Sequence, residues 1–272
     1  MEDSQLLFIL VSLVATGIVS GLLAGLLGIG GGLVLVPILY SLLTSLGIEP
    51  ITALASSTAT SLAIIVPTSI SSIAAHHRHR NIELLIIKQW WLPIMLGVTS
   101  AALLISYLRG VWLQIFFSLF ISYMGLKMLF NLNIKFLPKF NQGPNGASLI
   151  PFFIGLASAL VGIGGGTLTV PTLSAKGFPI PVAIGTSAAI GLLISLPAAL
   201  LFLFIPTTDT KLLYSFGLIN YAAFAVVTPF SVFFAPIGAK LTKLIKPKYL
   251  KYIFALVLIS TGIRIGLQLL PG

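Results

Sequence analysis

Residues 28–37 read GIGGGLVLVP and residues 162–171 read GIGGGTLTVP, with seven of the ten positions identical. The similarity extends backwards along the chain, where three residues match three others: Gly21, Leu22 and Leu26 correspond to Gly155, Leu156 and Leu160. Both glycine phrases interrupt long apolar runs, where clustered glycines destabilise a helix and leave backbone groups without partners. Because this cost occurs twice, at equivalent places, we expect the phrases to have a function.

The composition around these phrases is that of a membrane protein. Of the 272 residues, 57% are hydrophobic and only 7% are charged, against about 25% charged in an average soluble domain. A membrane-spanning helix needs about 20 predominantly apolar residues, and the chain supplies about eight such runs with no room for a separate soluble domain. The acidic start lacks the basic region of a signal peptide, so the first run is predicted to be a retained span. We therefore predict an all-α, polytopic membrane protein.

The net charge and the lack of cysteine limit which partners and which chemistry the chain can have. The formal net charge is +10, but the basic residues lie mainly in short loops beside apolar helices, so membrane lipid headgroups explain the charge better than nucleic acid does. The chain has no cysteine, which excludes disulfides, a thiolate nucleophile and a cysteine-ligated metal.

Two similar halves account for nearly the whole chain. We predict an N-terminal repeat at 1–133, a polar linker rich in proline and glycine at 134–148, and a C-terminal repeat at 149–272. In the first repeat, spans are expected at 6–27, 51–74, 82–108 and 112–130, with the apolar stretch 33–46 too short to cross. That stretch, and its counterpart after the second phrase, predict broken or re-entrant helices, giving about eight spans, or up to ten if these segments count. Asn81 and Asn220 are predicted to cap the helices that follow them.

The direction of the repeats stays open in the sequence. Four spans per half would make the repeats parallel, whereas counting each segment after a glycine phrase as a crossing would make them inverted. Basic loops fall on both sides of an eight-span arrangement, so the positive-inside rule does not choose between the two.

The glycine phrases suit the binding of an anion. A helix that restarts after a glycine break presents free N–H groups and a partial positive charge to whatever lies before it. Glycine allows a ligand to approach the backbone closely. The alternative is that these glycines serve only close packing of helices. A soluble nucleotide-binding loop is disfavoured, because the phrases lack the GxGxxG spacing, the GK[ST] ending and a surrounding βαβ pattern.

Hydroxyl side chains follow each phrase and add neutral donors. Aligning residues 53–67 (ALASSTATSLAIIVP) with 183–197 (AIGTSAAIGLLISLP) places Ser56 and Ser57 opposite Thr186 and Ser187. An oxyanion held by such hydroxyls and by backbone N–H groups would need no fully buried positive charge.

These features together resemble the sulfite exporter TauE/SafE family of membrane permeases. The resemblance rests on paired GIGGG-x-x-x-VP phrases, each followed by a turn and a Ser/Thr-containing helix, and covers essentially the full chain. It implies outward transport of a small sulfur-containing anion, such as sulfite, thiosulfate or an organosulfonate, across the inner or plasma membrane. The substrate-binding residues that it implies by motif position are Gly28, Gly30, Gly31, Gly32, Ser56, Ser57, Gly162, Gly164, Gly165, Gly166, Thr186 and Ser187.

Charged and titratable residues also lie outside the glycine phrases. Lys127 and Arg264 occupy matched positions in the last span of each half, where they either attract an anion along its path or extend to the lipid headgroups. The loop 76–80 (HHRHR) is interpreted as a basic membrane-facing loop rather than a metal site, and no metal or cofactor is predicted. All five acidic residues fall in terminal or loop positions, so no buried carboxylate offers a proton relay. We hypothesise that any coupled proton travels with the substrate.

The predicted function is thus a carrier in which the anion binds at mid-membrane between the repeats and the two halves alternate access. An intramembrane enzyme is disfavoured because the spans hold no nucleophile with a base and no metal set. An anion channel, or a ligand-sensing membrane protein of the same fold, remains the alternative. The sequence is compatible with a homodimer.

Overall fold

The computed structural model contains ten helices in the part of the chain that it describes, which comprises residues 2–28, 30–107, 110–130, 149–206, 212, 214–241 and 248–267. The first five helices are α1 (Glu2–Leu27), α2 (Gly32–Ser45), α3 (Pro50–His77), α4 (Leu84–Tyr107) and α5 (Gly110–Leu129). The second five are α6 (Leu149–Val161), α7 (Gly166–Ala175), α8 (Ile180–Leu203), α9 (Tyr221–Leu241) and α10 (Lys248–Leu267). A two-stranded antiparallel turn, β1 (Ser215–Phe216) with β2 (Ile219–Asn220), precedes α9.

Helix lengths confirm the prediction of an all-α polytopic membrane protein. Five described helices, α1, α3, α4, α8 and α9, are long and apolar enough to cross a bilayer. The other helices include shorter apolar segments, and α2 and α7, which directly follow the two glycine phrases, have only 14 and 10 residues. Broken helices therefore lie where the sequence predicted them.

Close packing of small residues joins the first helix of the chain to the ninth. A Cβ on Gly17 would lie 2.7 Å from the carbonyl oxygen of Val227, and one on Gly21 would lie 2.8 Å from the Cα of Ser231. The next glycine, Gly25, faces Ala235 and Ala239. Because the contacting residues of α9 increase in number in the same order as those of α1, the two helices run parallel. This is the small-xxx-small packing that lets membrane helices approach backbone to backbone.

The fourth and sixth helices repeat this contact. Gly155 of α6 lies against the backbone of Ile94 in α4, where a Cβ would come 2.5 Å from the Ile94 carbonyl oxygen. Gly155 is the sequence counterpart of Gly21, and α4 holds the same place in the first half as α9 in the second. The opening helix of each half therefore packs against the fourth helix of the other half, so the two halves interlock.

The closing helices of the two halves, α5 and α10, pack against each other in opposite directions. Ser118 donates a hydrogen bond to the carbonyl oxygen of Gly262 at 2.7 Å, whereas Gly125, further along α5, lies against Ala255 and Ile259, which come earlier in α10. Two helices related by a two-fold axis run antiparallel only if the axis is perpendicular to them. The direction of this pair is the one expected of inverted repeats, an arrangement that stays a prediction. The boundaries at 133 and 149 stay a prediction, because the linker lies outside the described residues.

The predicted helix caps had different outcomes. Asn220 caps α9, since its side-chain oxygen accepts a hydrogen bond from the N–H of Ala223 at 2.8 Å. The prediction for Asn81 is wrong, because α4 begins three residues later, at Leu84. A carboxylate oxygen of Glu83 accepts from the N–H of Leu85 at 3.4 Å, so Glu83 occupies the position that corresponds to Asn220.

We predict that Gly21→Val lowers the thermal unfolding midpoint of the detergent-solubilised protein, because its side chain would overlap the α9 backbone and overpacking costs about 1–3 kcal/mol or more. Ala15→Val is the matched control, since Ala15 lies on an exposed face of the same helix. Equal midpoints for the two variants would contradict the packing described for α1 and α9.

Candidate functional site

Both glycine phrases have the same backbone conformation. In the first, Gly28, Gly30 and Gly31 have φ angles of 65°, 73° and 78°. In the second, Gly162, Gly164 and Gly165 have φ angles of 74°, 64° and 80°. Side chains with a Cβ rarely adopt this left-handed region. Glycine is therefore required to stop one helix and start the next within a few residues.

The two breaks meet inside the protein. A Cβ on Gly32 would overlap the carbonyl oxygen of Gly162 and come within 2.6 Å of the Cα of Ile163. Each break also lies against a long helix of the other half, with Gly162 next to Thr58 of α3 and Gly28 next to Ile184 of α8. The sequence phrases thus form one buried structure, which we call the paired breaks.

Two serine hydroxyls hold the paired breaks together. Ser61 of α3 donates to the carbonyl oxygen of Gly162, and Ser187 of α8 donates to the carbonyl oxygen of Gly28, both at 2.7 Å. Each serine binds the first glycine of the phrase in the other half. These hydrogen bonds satisfy carbonyls that the end of a helix leaves without a partner.

Two threonine hydroxyls next to these serines make a second matched pair of contacts. Thr60 accepts a hydrogen bond from the N–H of Asn220, and Thr186 accepts one from the N–H of Glu83, both at 2.9 Å. Each threonine therefore binds the start of the fourth helix of the opposite half.

These contacts correct the alignment of the polar helices. The residues opposite Thr186 and Ser187 are Thr60 and Ser61, whereas the sequence alignment had placed Ser56 and Ser57 there. Thr60 lies ten residues after the start of α3, but Thr186 lies only six after the start of α8. The four extra residues are about one helical turn, which the alignment from the helix starts could not detect. The sequence does contain a pattern that indicates the correct alignment, because residues 60–64 read TSLAI and residues 186–190 read TSAAI.

The predicted hydroxyl residues of the site differ in whether their proton is already donated in a hydrogen bond. Ser187 donates to Gly28, and Ser57 donates to the Ala53 carbonyl within its own helix at 2.6 Å. Neither hydroxyl proton is available to a ligand in this conformation. Ser56 is fully buried and its hydroxyl has no hydrogen-bond partner among the described residues, and the proton of Thr186 is not used in its contact with Glu83.

Around the second break, buried polar groups remain without partners. Within the described part of the chain, the N–H groups of Gly164, Gly165, Gly166 and Thr167 form no hydrogen bond, since the first such bonds of α7 come from Leu168 and Thr169 to Gly165. Four hydroxyls near this break also have no partner there: Ser69, Ser158, Thr167 and Thr169. Each unsatisfied buried group costs about 1–3 kcal/mol. This is the arrangement expected of a binding site for an acceptor-rich ligand.

The two basic residues predicted to line an anion path, Lys127 and Arg264, do not come together. Because α5 and α10 are antiparallel, Lys127 and Arg264 lie near opposite ends of this pair and do not converge. Arg264 is exposed, donates to the Ser41 hydroxyl at 3.3 Å and lines an open groove of about 540 Å³. Ser41 lies about 14 Å along α2 from Gly32.

Two further basic groups flank the helices of the breaks. The sequence predicts a loop at 76–80, but His76 and His77 belong to the last turn of α3. His76 is buried there, and its Nε2 donates to the Gly25 carbonyl at 3.1 Å. Lys176 follows α7, about 15 Å along the chain from Gly166, and its ammonium lies 5.1 Å above the ring of Trp90. Partial burial lowers the pKa of Lys176.

A family model for the sulfite exporter TauE/SafE matches residues 13–265. The chain belongs to this family. The match begins in α1 and ends in α10, so it includes both glycine phrases and all the helices that surround them. The sulfite exporter family is one of membrane transporters, and the chain is therefore a multi-pass membrane protein of a transporter family.

Individual relatives in the TauE/SafE family agree in length. A probable membrane transporter protein of Haemophilus influenzae is 35% identical over 264 residues, covering 96% of this chain and 99% of the relative. A probable membrane transporter protein of Methanocaldococcus jannaschii is 28% identical, covering 96% and 97%, and one of Bacillus subtilis is 24% identical, covering 94% and 96%. No solved structure matches the chain.

We predict that Ser61→Ala and Ser187→Ala each destabilise this TauE/SafE protein by about 1–3 kcal/mol, because each leaves a buried glycine carbonyl without its donor. The measurement is thermal unfolding in detergent, with Ser100→Ala as control, since Ser100 bonds only within α4. Unfolding midpoints equal to that of Ser100→Ala would show that the two serines do not hold the breaks together.

Proposed function

We propose that the protein is a carrier that exports a small sulfur-containing anion, such as sulfite, thiosulfate or an organosulfonate. The observation that carries this proposal is the cluster of unpartnered N–H groups and hydroxyls at the second break, buried where two broken helices meet. All these groups offer hydrogens to the oxygens of an anion, and family membership supports a sulfur-containing one.

Alternating access follows from the proposed repeat symmetry. Inverted repeats around a central site exchange conformations when the site opens to one side and then to the other. Here each hydrogen bond described between the halves at the breaks joins one hydroxyl to one backbone group. Such bonds contribute only about 0.5–1.5 kcal/mol each, so they can be exchanged during a transport cycle.

Outward transport across the plasma membrane, or the inner membrane of a two-membrane cell, is part of this proposal and rests on the family. An enzymatic role is disfavoured on chemical grounds, because the described groups at the paired breaks are hydroxyls and amides. The glycines, together with Ser56 and Thr186, are the proposed substrate-binding residues, whereas Ser57 and Ser187 would have to change partner before donating to an anion.

We predict that Gly31→Leu and Gly165→Leu abolish transport while the protein still reaches the membrane. Both glycines have positive φ angles, and a Cβ would lie 2.6 Å from the Ser20 carbonyl oxygen or 2.5 Å from the Cδ1 of Ile194. Counterflow in proteoliposomes measures the effect, as accumulation of labelled sulfite driven by unlabelled sulfite inside. Such accumulation requires a carrier and would not occur through a channel.

Gly177→Leu is the matched control for backbone strain. Gly177 has a φ of 90°, but a Cβ there would meet no atom within 4 Å, so this variant tests strain without filling a break. We expect Gly177→Leu to retain counterflow. Normal counterflow in both break variants would refute the proposed site, and sulfite flux without counterflow in the unaltered protein would favour the channel.

A further inference from the structure

The two breaks have the same backbone but different side chains. Hydroxyl residues line the second break at three positions where the first has apolar residues: Ser158, Thr167 and Thr169 correspond to Ala24, Leu33 and Leu35. The hydroxyls of all three have no partner among the described residues. At these three positions, among the described residues, the second break therefore adds free hydroxyls to its free backbone N–H groups, and the first break does not.

Two unpartnered hydroxyls of the described chain, those of Ser158 and Ser69, lie close to the break. Ser158 is fully buried, and its Oγ lies 3.7 Å from the position that a Cβ on Gly165 would take. From the opposite side, Ser69 of α3 is 1% exposed, with its Oγ 3.4 Å from the Cβ position of Gly191, itself 2.8 Å from the Gly164 carbonyl oxygen. Donors thus approach the second break from α6, α7 and α3.

Two carbonyl groups near the break are already bonded. The carbonyl of Ser158 accepts from the N–H groups of Gly162 and Ile163, and the carbonyl of Gly162 accepts from Ser61. These two acceptors are therefore occupied. The start of α7 offers N–H groups and the positive end of its dipole.

All the described donors at the second break are neutral. Among the described basic residues, Lys176 lies about 15 Å along the chain from Gly166, and His76 donates to the Gly25 carbonyl in α1, the helix that precedes the first break. The cost of moving an ion out of water grows with the square of its charge, and neutral donors repay it only in part. A site of this kind suits one negative charge and disfavours two.

We propose that the second break binds a singly charged sulfur oxyanion, namely bisulfite or an organosulfonate, and discriminates against dianions, which narrows the proposed function by excluding thiosulfate. This rests on the proposed function and names its substrate class. Sulfite then enters as bisulfite, formed when the dianion takes up one proton from water. The proton crosses with the anion, and no protein carboxylate is needed to carry it.

Titratable residues of the protein must be separated from titration of the ligand. The described titratable residues on or beside the elements that pack around the second break are Tyr40, Glu49, His76, His77, His79, Glu83, Lys88, Tyr123, Lys127, Lys176, Tyr221 and Lys240. Methanesulfonate controls for all of them, because it carries one negative charge throughout the neutral range.

The test is calorimetric titration of the purified full chain in detergent with sulfite, methanesulfonate and sulfate. Each titration is done one pH unit below and one unit above the pKa of bisulfite. If only bisulfite binds, the apparent Kd for sulfite rises about tenfold across this interval, following the fraction of the monoanion. The Kd for methanesulfonate stays constant, and sulfate does not bind.

Two variants test whether the ligand binds at the second break. Ser158→Ala and Thr167→Val are expected to weaken methanesulfonate binding about tenfold or more, since hydrogen bonds to a charged group are the stronger kind. Thr228→Val is the matched control, because its hydroxyl is likewise buried and without a partner in the described chain but lies on α9. Unchanged thermal unfolding identifies variants that are correctly folded.

The outcomes distinguish this inference from the proposed function. Sulfite binding that does not change with pH, or sulfate binding as tight as that of methanesulfonate, overturns the monoanion inference while leaving a sulfur-anion carrier in place. Normal methanesulfonate binding by folded Ser158→Ala and Thr167→Val overturns the assignment to the second break. Absence of binding by all three anions overturns both proposals.

Discussion

Backbone hydrogen bonding in an apolar interior is the constraint on which this structure depends. Two helices stop and restart inside the protein, and each break leaves carbonyl and N–H groups that no membrane lipid can satisfy. One carbonyl of each break is satisfied across the centre, where Ser61 binds Gly162 and Ser187 binds Gly28. Each half of the chain thus completes the broken helix of the other.

The packing of the other helices holds the two halves together around the paired breaks. Small residues on α1 and α6 let each packed helix approach the backbone of its partner from the opposite half, and the antiparallel α5 and α10 join the halves at their closing helices. Because N–H groups at the restart of α7 and nearby hydroxyls remain unsatisfied, the same constraint that shapes the fold also leaves a place for an anion. Stability and binding therefore depend on the same few residues.

Much of this arrangement follows from the sequence. The glycine phrases predict the breaks because no other residue tolerates three nearby left-handed φ angles, and the apolar runs predict the helices. Asn220 caps its helix as expected, since a side-chain oxygen at that position can only reach the first turn. The Asn81 cap failed because Glu83, two residues later, occupies the equivalent place, and periodicity alone does not fix where a helix begins within a few residues.

The sequence by itself determined that this is a two-phrase, all-α membrane protein of the TauE/SafE type, because composition and clustered glycines act locally along the chain. Only the tertiary structure decided that Thr60 and Ser61, rather than Ser56 and Ser57, face the opposite half. It also separated Lys127 from Arg264 and left free donors at the second break. These outcomes depend on helix direction and on one extra turn of α3, which arise when distant segments pack and which no local pattern specifies.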